Sequence, residues 1–164
     1  MLNELIAFVE VFVADYGLFG AFLVAVTESF ILPIPTAVII TPATALGIDP
    51  LVITIVATIG SVIGAFIGYF LGEKLGRPVA EKRFPKYLTR VEGWFQKYGS
   101  WAVFIAAFTP IPFKVFTWVG GIMKIDKKHF FLASIAGRFL QFLIAAYVGS
   151  LLGPWFFSLL GYPV

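Results

Sequence analysis

Three charged side chains stand alone in long apolar runs. Between residues 17 and 72 the only charges are Glu28 and Asp49. Between 98 and 123 the only charge is Lys114, and between 130 and 164 it is Arg138. A charge at membrane depth is costly unless it is paired, hydrated or, for an acid, protonated. Glu28 is therefore a candidate proton site or gate. Lys114 and Arg138 suit an anionic group such as a phosphate, which ammonium and guanidinium hold through charge-assisted hydrogen bonds. The bland alternative is a fixed ion pair of Glu28 with Arg138 or with Lys114 that locks the fold. A pair that opens to admit a ligand would serve both ends.

No other chemistry competes for these residues. There is no cysteine, so disulfides and thiol catalysis are excluded. The one histidine, His129, cannot build a metal site alone. There are no paired carboxylates close in sequence and no phosphate loop, so neither an enzyme nor a cofactor is expected.

Of 164 residues 60% are hydrophobic and only 13% charged, and mean hydropathy is +0.95. A soluble domain of this size needs far more polar surface, so a single integral membrane domain over 1–164 is expected. The start of the chain is acidic (Glu4, Glu10, Asp15), so no cleavable signal peptide is expected. Of twelve Lys and Arg, seven lie within 73–97 and three within 124–129. Glu73, Glu81 and Glu92 are interspersed there, so nucleic acid is not an expected partner.

A repeat is hidden in this pattern. "GIDPLVITIVATIGSVIGAFIGYFLGEKLG" (47–76) aligns without a gap on "KIDKKHFFLASIAGRFLQFLIAAYVGSLLG" (124–153), an offset of 77. Upstream, Tyr16-Gly17 matches Tyr98-Gly99 after a five-residue insertion, and Thr27 falls on Thr109. The units are 16–76 and 98–153, with a basic loop over 77–97 between them. Each ends in a long apolar stretch, 51–70 or 130–150, sufficient to cross a bilayer. Each begins with short pieces, 18–32 and 36–46 or 101–109 and 113–123, broken at "LPIP" and "TPIP". These arms are short for a spanning helix and suit re-entrant hairpins with Pro33, Pro35, Pro110 and Pro112 at the tips. Segment 5–14 is expected to lie in the interface or on the bundle.

Each unit then crosses the membrane once, so the two must be antiparallel: an all-α inverted repeat. Both basic clusters fall on one side. The positive-inside rule makes that side cytoplasmic, with both termini outside. Gly60, Gly64, Gly68, Gly72 and Gly76 recur every four residues and form a packing stripe, which also permits a homodimer. Asp49 and Asp126 fit helix N-caps. The threonines near the tips (Thr27, Thr36, Thr41, Thr44, Thr109, Thr117) are expected to serve backbone carbonyls. The start of the hairpin helix near Thr36 can also direct its N–H groups at an anion.

An acid before a proline tip, a glycine-spaced helix, "FTPIPFKVF" and "GIMKIDKKHFFLASIAGRF" together resemble the DedA family (SNARE-associated or VTT-domain membrane proteins), in particular its YqaA-like branch. The likeness runs from about Tyr16 to Gly153. It implies two facing re-entrant hairpins and movement of a phosphate-bearing lipid, such as undecaprenyl phosphate or a phospholipid, between leaflets, with a proton as the second partner. By position it assigns Glu28 as the first acid and Arg138 as the basic residue of the last long helix. The chain departs from the family where many members carry a second acid after the first tip; here it reads "PTAV". At the second tip Thr109 and Lys114 stand near positions that are often arginine. The expected location is the inner (plasma) membrane of a prokaryote. A small-solute or ion transporter and a non-transporting membrane organiser are the alternatives.

Overall fold

The computed structural model describes residues 2–31, 36–45, 47–83, 85–109 and 111–159. Pro33, Pro35 and Pro110 therefore lie outside the described residues, while Pro112 is the residue immediately before a helix. Among the described residues seven helices follow one another: α1 (Leu2–Glu28), α2 (Ala37–Ala45), α3 (Pro50–Arg83), α4 (Leu88–Tyr98), α5 (Trp101–Phe108), α6 (Phe113–Ile122) and α7 (Lys127–Leu159). No strand occurs among the described residues.

The joints between helices repeat. α1 bends at Gly17 (φ 48°, ψ −130°), and the α4–α5 joint is Gly99 (φ 54°, ψ −135°), 82 positions later. Only glycine adopts such angles without a Cβ clash. The N-terminal segment is thus continuous with α1 through a kink rather than a separate element. The turn after α2 puts Gly47 at φ 99°, and the turn after α6 puts Lys124 at φ 51°. Ile48 N–H reaches the Ala43 carbonyl at 3.1 Å, and Ile125 N–H reaches that of Gly120 at 3.0 Å. Both turns satisfy the last carbonyls of a short helix in the same way.

Each turn hands over to a capped helix. The Asp49 carboxylate accepts from Leu51 N and Val52 N, both at 2.9 Å. Asp126 accepts from His129 N at 3.0 Å and pairs with the His129 ring at 2.6 Å. Asp49→Ala should therefore cost about 1 kcal/mol. The backbone N–H of His129, then its ring, hold the Asp126 carboxyl below its ordinary range. A lowered folded-state value stabilises above the unfolded carboxylate value of about 3.9, and that gain disappears as pH falls through the lowered one. Thermal unfolding should show Asp126→Ala less stable than wild type at pH 7, with the gap closing in acid. A gap that does not change with pH would sink this account.

The long helices outrun their apolar stretches, because an α-helix needs backbone continuity rather than apolarity. The stretches Pro50–Lys82 and Lys127–Gly153 are long and apolar enough to cross a membrane. The basic segment expected as a loop is largely helical. Residues 77–83 continue α3 beyond a bend at Gly76 (φ 68°, ψ −169°), and α4 buries Leu88, Val91 and Phe95.

The core is mainly apolar, but polar side chains are buried with it and the outer faces are apolar as well. Ser29, Thr36, Thr54, Ser61, Thr117, Ser134 and Arg138 are buried, while α3 exposes Ile55, Ile59, Ile63 and Phe66, and α7 exposes Leu132, Ile144 and Leu151. Such continuous apolar faces suit hydrocarbon rather than water.

Glycines set the packing of the long helices. α3 packs on α1, α6 and α7, and α7 packs on α2, α3 and α5. Gly60 lies against the Phe22 carbonyl and Ala25, and Gly137 lies against the Phe104 carbonyl and Ala107, the equivalents 82 residues on. Gly72 seats the Trp118 carbonyl, and Gly149 seats that of Thr41, 77 residues before Trp118. Gly64 and Gly68 meet Val26 and Thr117. So α3 touches α1 of its own half and α6 of the other, and α7 touches α5 of its own half and α2 of the other. Gly76 departs from the expected stripe: an added Cβ would meet only Pro78, and its role is the bend. Pro78 explains it, since a proline ring inside a helix clashes with the carbonyl four residues back. Gly120 and Gly121 are also close-packed, against the Phe130 ring and the Tyr69 carbonyl.

Candidate functional site

The end of α1, the start of α2 and the middle of α7 meet at one buried cluster. Arg138 Nη2 lies 2.9 Å from Glu28 Oε1, with the two side chains 3% and 13% exposed. This resolves the open choice of partner in favour of Arg138. The other Glu28 oxygen, Oε2, accepts from Thr36 N at 3.0 Å and from the Thr36 hydroxyl. Glu28 thus occupies the place of an anion at the α2 N-terminus, where free N–H groups and the helix dipole favour negative charge. Arg138 Nη1 donates to Gln141 Oε1 at 2.7 Å, and Gln141 Nε2 reaches the Thr109 carbonyl at 3.4 Å.

Aromatic rings complete the enclosure. The Arg138 guanidinium lies 4.2 Å from the Phe113 ring centroid and 5.4 Å from that of Phe142. Both are attractive cation–π distances. Arg138 therefore touches groups flanking both broken segments: Glu28 before the first, and Phe113 just after the second. One donor is left over. Arg138 Nε is buried with no hydrogen-bond acceptor among the described residues.

Lys114 approaches the same segment from another side. Its Nζ lies 3.2 Å from the Ile31 carbonyl. Thr117 and Trp118, also on α6, donate to the Ser29 and Phe30 carbonyls at 3.0 and 3.1 Å. Three consecutive carbonyls freed at the end of α1 are thus served by three side chains of α6. Ser29 also bonds Ser61 on α3 at 2.7 Å. The threonines divide as their positions suggest. Thr27, Thr44, Thr109 and Thr117 serve carbonyls of their own helices, whereas Thr36 faces Glu28.

The sequence missed Gln141. It stands one helical turn from Arg138, and a polar residue at i+3 from a membrane arginine is the signal that could have found it. Among the described residues no cluster of His, Cys, Asp and Glu could hold a metal ion.

The VTT domain family matches residues 32–151, which is most of the chain. An uncharacterised protein of Methanocaldococcus jannaschii is 33% identical over 130 residues, covering 79% of this chain and 81% of the relative. An uncharacterised protein of Histophilus somni is 36% identical over 63 residues, 38% of this chain and 33% of that protein. One of Haemophilus influenzae is 32% identical over 68 residues, 42% and 35% of the two chains. No solved structure matches significantly. With its apolar outer faces and two membrane-length helices, this chain belongs to the VTT domain family of membrane proteins, as the DedA resemblance implied.

Proposed function

We propose that the protein moves a phosphate-bearing lipid, a phospholipid or undecaprenyl phosphate, between the leaflets of a prokaryotic inner membrane, and that it is a transporter rather than an enzyme. The observation that carries this reading is Arg138: 2% exposed, touched by residues that flank both broken segments, and holding one N–H without an acceptor among the described residues. Buried polar groups are nearly always paired, so a spare donor on a buried cation suits an anion that comes and goes.

In this reading α1–α2 and α5–α6 are re-entrant hairpins, α3 and α7 span, and the halves are inverted with the basic segments cytoplasmic. Glu28 and the lipid phosphate compete for Arg138. Protonating Glu28 removes the competitor, which couples a proton to lipid movement. Lys114, at the rim of the same segment, passes the phosphate inward.

The test is flip-flop in liposomes carrying a reporter-labelled anionic phospholipid and an outside quencher, with and without a pH gradient. Wild type should move the label. Losing a charge-assisted hydrogen bond to phosphate should slow Arg138→Ala about tenfold or more. Glu28→Gln should slow transport and remove its response to the gradient. A folded wild type that moves neither this lipid nor undecaprenyl phosphate would end the proposal.

A further inference from the structure

A cavity of about 340 Å³ lies between α4 and the start of α6, outside the Glu28–Arg138 cluster. Trp94, Ile111, Pro112, Val115 and Phe116 make an apolar wall, and among the described residues Arg90 is the one charged residue lining it. Trp94 meets Phe116 edge-on, with centroids 5.8 Å apart. Arg90 and Trp94 stand four residues apart on one face of α4, and Tyr87, the residue before the helix, lines the same cavity.

The charge is left over here. Glu92, the only acid on α4, is taken by Arg77 at 2.8 Å. Arg90 is exposed and has no ion-pair partner among the described residues. An apolar trough with one uncompensated guanidinium at its edge complements an amphiphile with an anionic head. A volume of this size is ordinary for a small-molecule site. Ile111 and Pro112 line it, and the next residue, Phe113, has its ring centroid 4.2 Å from the Arg138 guanidinium. The turn at 111–113 therefore separates the cavity from the buried charge pair.

We propose that the α4–α6 cavity binds an anionic phospholipid, with Arg90 on the phosphate and an acyl chain along Trp94, Val115 and Phe116. It is the site where the lipid waits before passing the 111–113 turn. That last step rests on the transport reading, whereas the binding does not.

The experiment uses the full chain in liposomes containing photoactivatable phosphatidylglycerol or phosphatidylcholine with identical acyl chains. Cross-linked residues are mapped by peptide mass. Phosphatidylglycerol should label 87–94 and 111–116 about tenfold more than phosphatidylcholine. Arg90→Gln, an exposed change that spares the fold, should erase that preference. Ile111→Trp should fill the cavity and reduce labelling by both lipids. Labelling elsewhere only, or equal labelling by both lipids in wild type, overturns the proposal. Flip-flop measured on the same liposomes separates the two readings. Cavity labelling without lipid movement counts against transport alone, and movement without cavity labelling counts against this site alone.

Discussion

Glu28→Ala is expected to destabilise the protein by about 3–5 kcal/mol, because it leaves Arg138 charged and unpaired in the interior. The same change strips the Thr36 N–H of its acceptor at the start of α2. The pair itself, however, is not a large source of stability. Taking two charges out of water costs nearly as much as their attraction returns, so a double replacement by apolar groups of similar size should behave differently. Glu28→Leu with Arg138→Met is expected to be neutral or to stabilise by about 1–4 kcal/mol, while ending lipid movement. Chemical unfolding in detergent, followed by tryptophan fluorescence, measures both. A single variant that costs under about 1 kcal/mol, or a double variant as damaged as the two singles summed, would show that the charges are not a coupled buried unit. Stability and transport moving in opposite directions in one variant would mark the pair as retained for function.

The second large effect belongs to the glycines. Gly72→Val and Gly149→Val should each destabilise by at least about 1–3 kcal/mol, the usual cost of overpacking, and towards the upper end of that range. At both positions an added Cβ would overlap a backbone carbonyl, Trp118 in one case and Thr41 in the other. A carbonyl inside a helix cannot swing aside as a side chain can. Gly93 on α4 is the control. Nothing lies within 4 Å of its added Cβ, so Gly93→Ala should stabilise by about 1 kcal/mol through helix propensity. Equal tolerance of Val at 72 and 93 would refute the close-approach account of the long helices.

Much of the chain was legible because its punctuation is strong. The short elements expected at 36–46, 101–109 and 113–123 are Ala37–Ala45, Trp101–Phe108 and Phe113–Ile122, since prolines and glycines bound them sharply. The long helices extend past 51–70 and 130–150 because hydropathy reports where a helix meets lipid, not where it ends. Four-residue spacing alone puts Gly76 in the stripe, whereas Pro78 two residues later signals the bend found there. The Glu28–Arg138 pair joins residues 110 positions apart, and local pattern could name the acid and two bases without choosing between them. Gln141 and the spare Arg138 donor depend on rotamers, which leave no periodic trace.

The crossed packing of the halves has a consequence for how the chain is made. The partner of Gly72 is Trp118, and the partner of Thr41 is Gly149. A polypeptide emerging in order therefore carries α2, nine residues with Pro42 inside, past α3, α4, α5 and α6 before the surface that holds it exists. Glu28 waits equally long for Arg138. Until α7 is delivered, the first half is an unfinished object with an open groove and an unmatched acid. Neither half is a domain in the sense of a unit that completes itself, and α7, packed on α2, α3 and α5, is the helix that ties the two together.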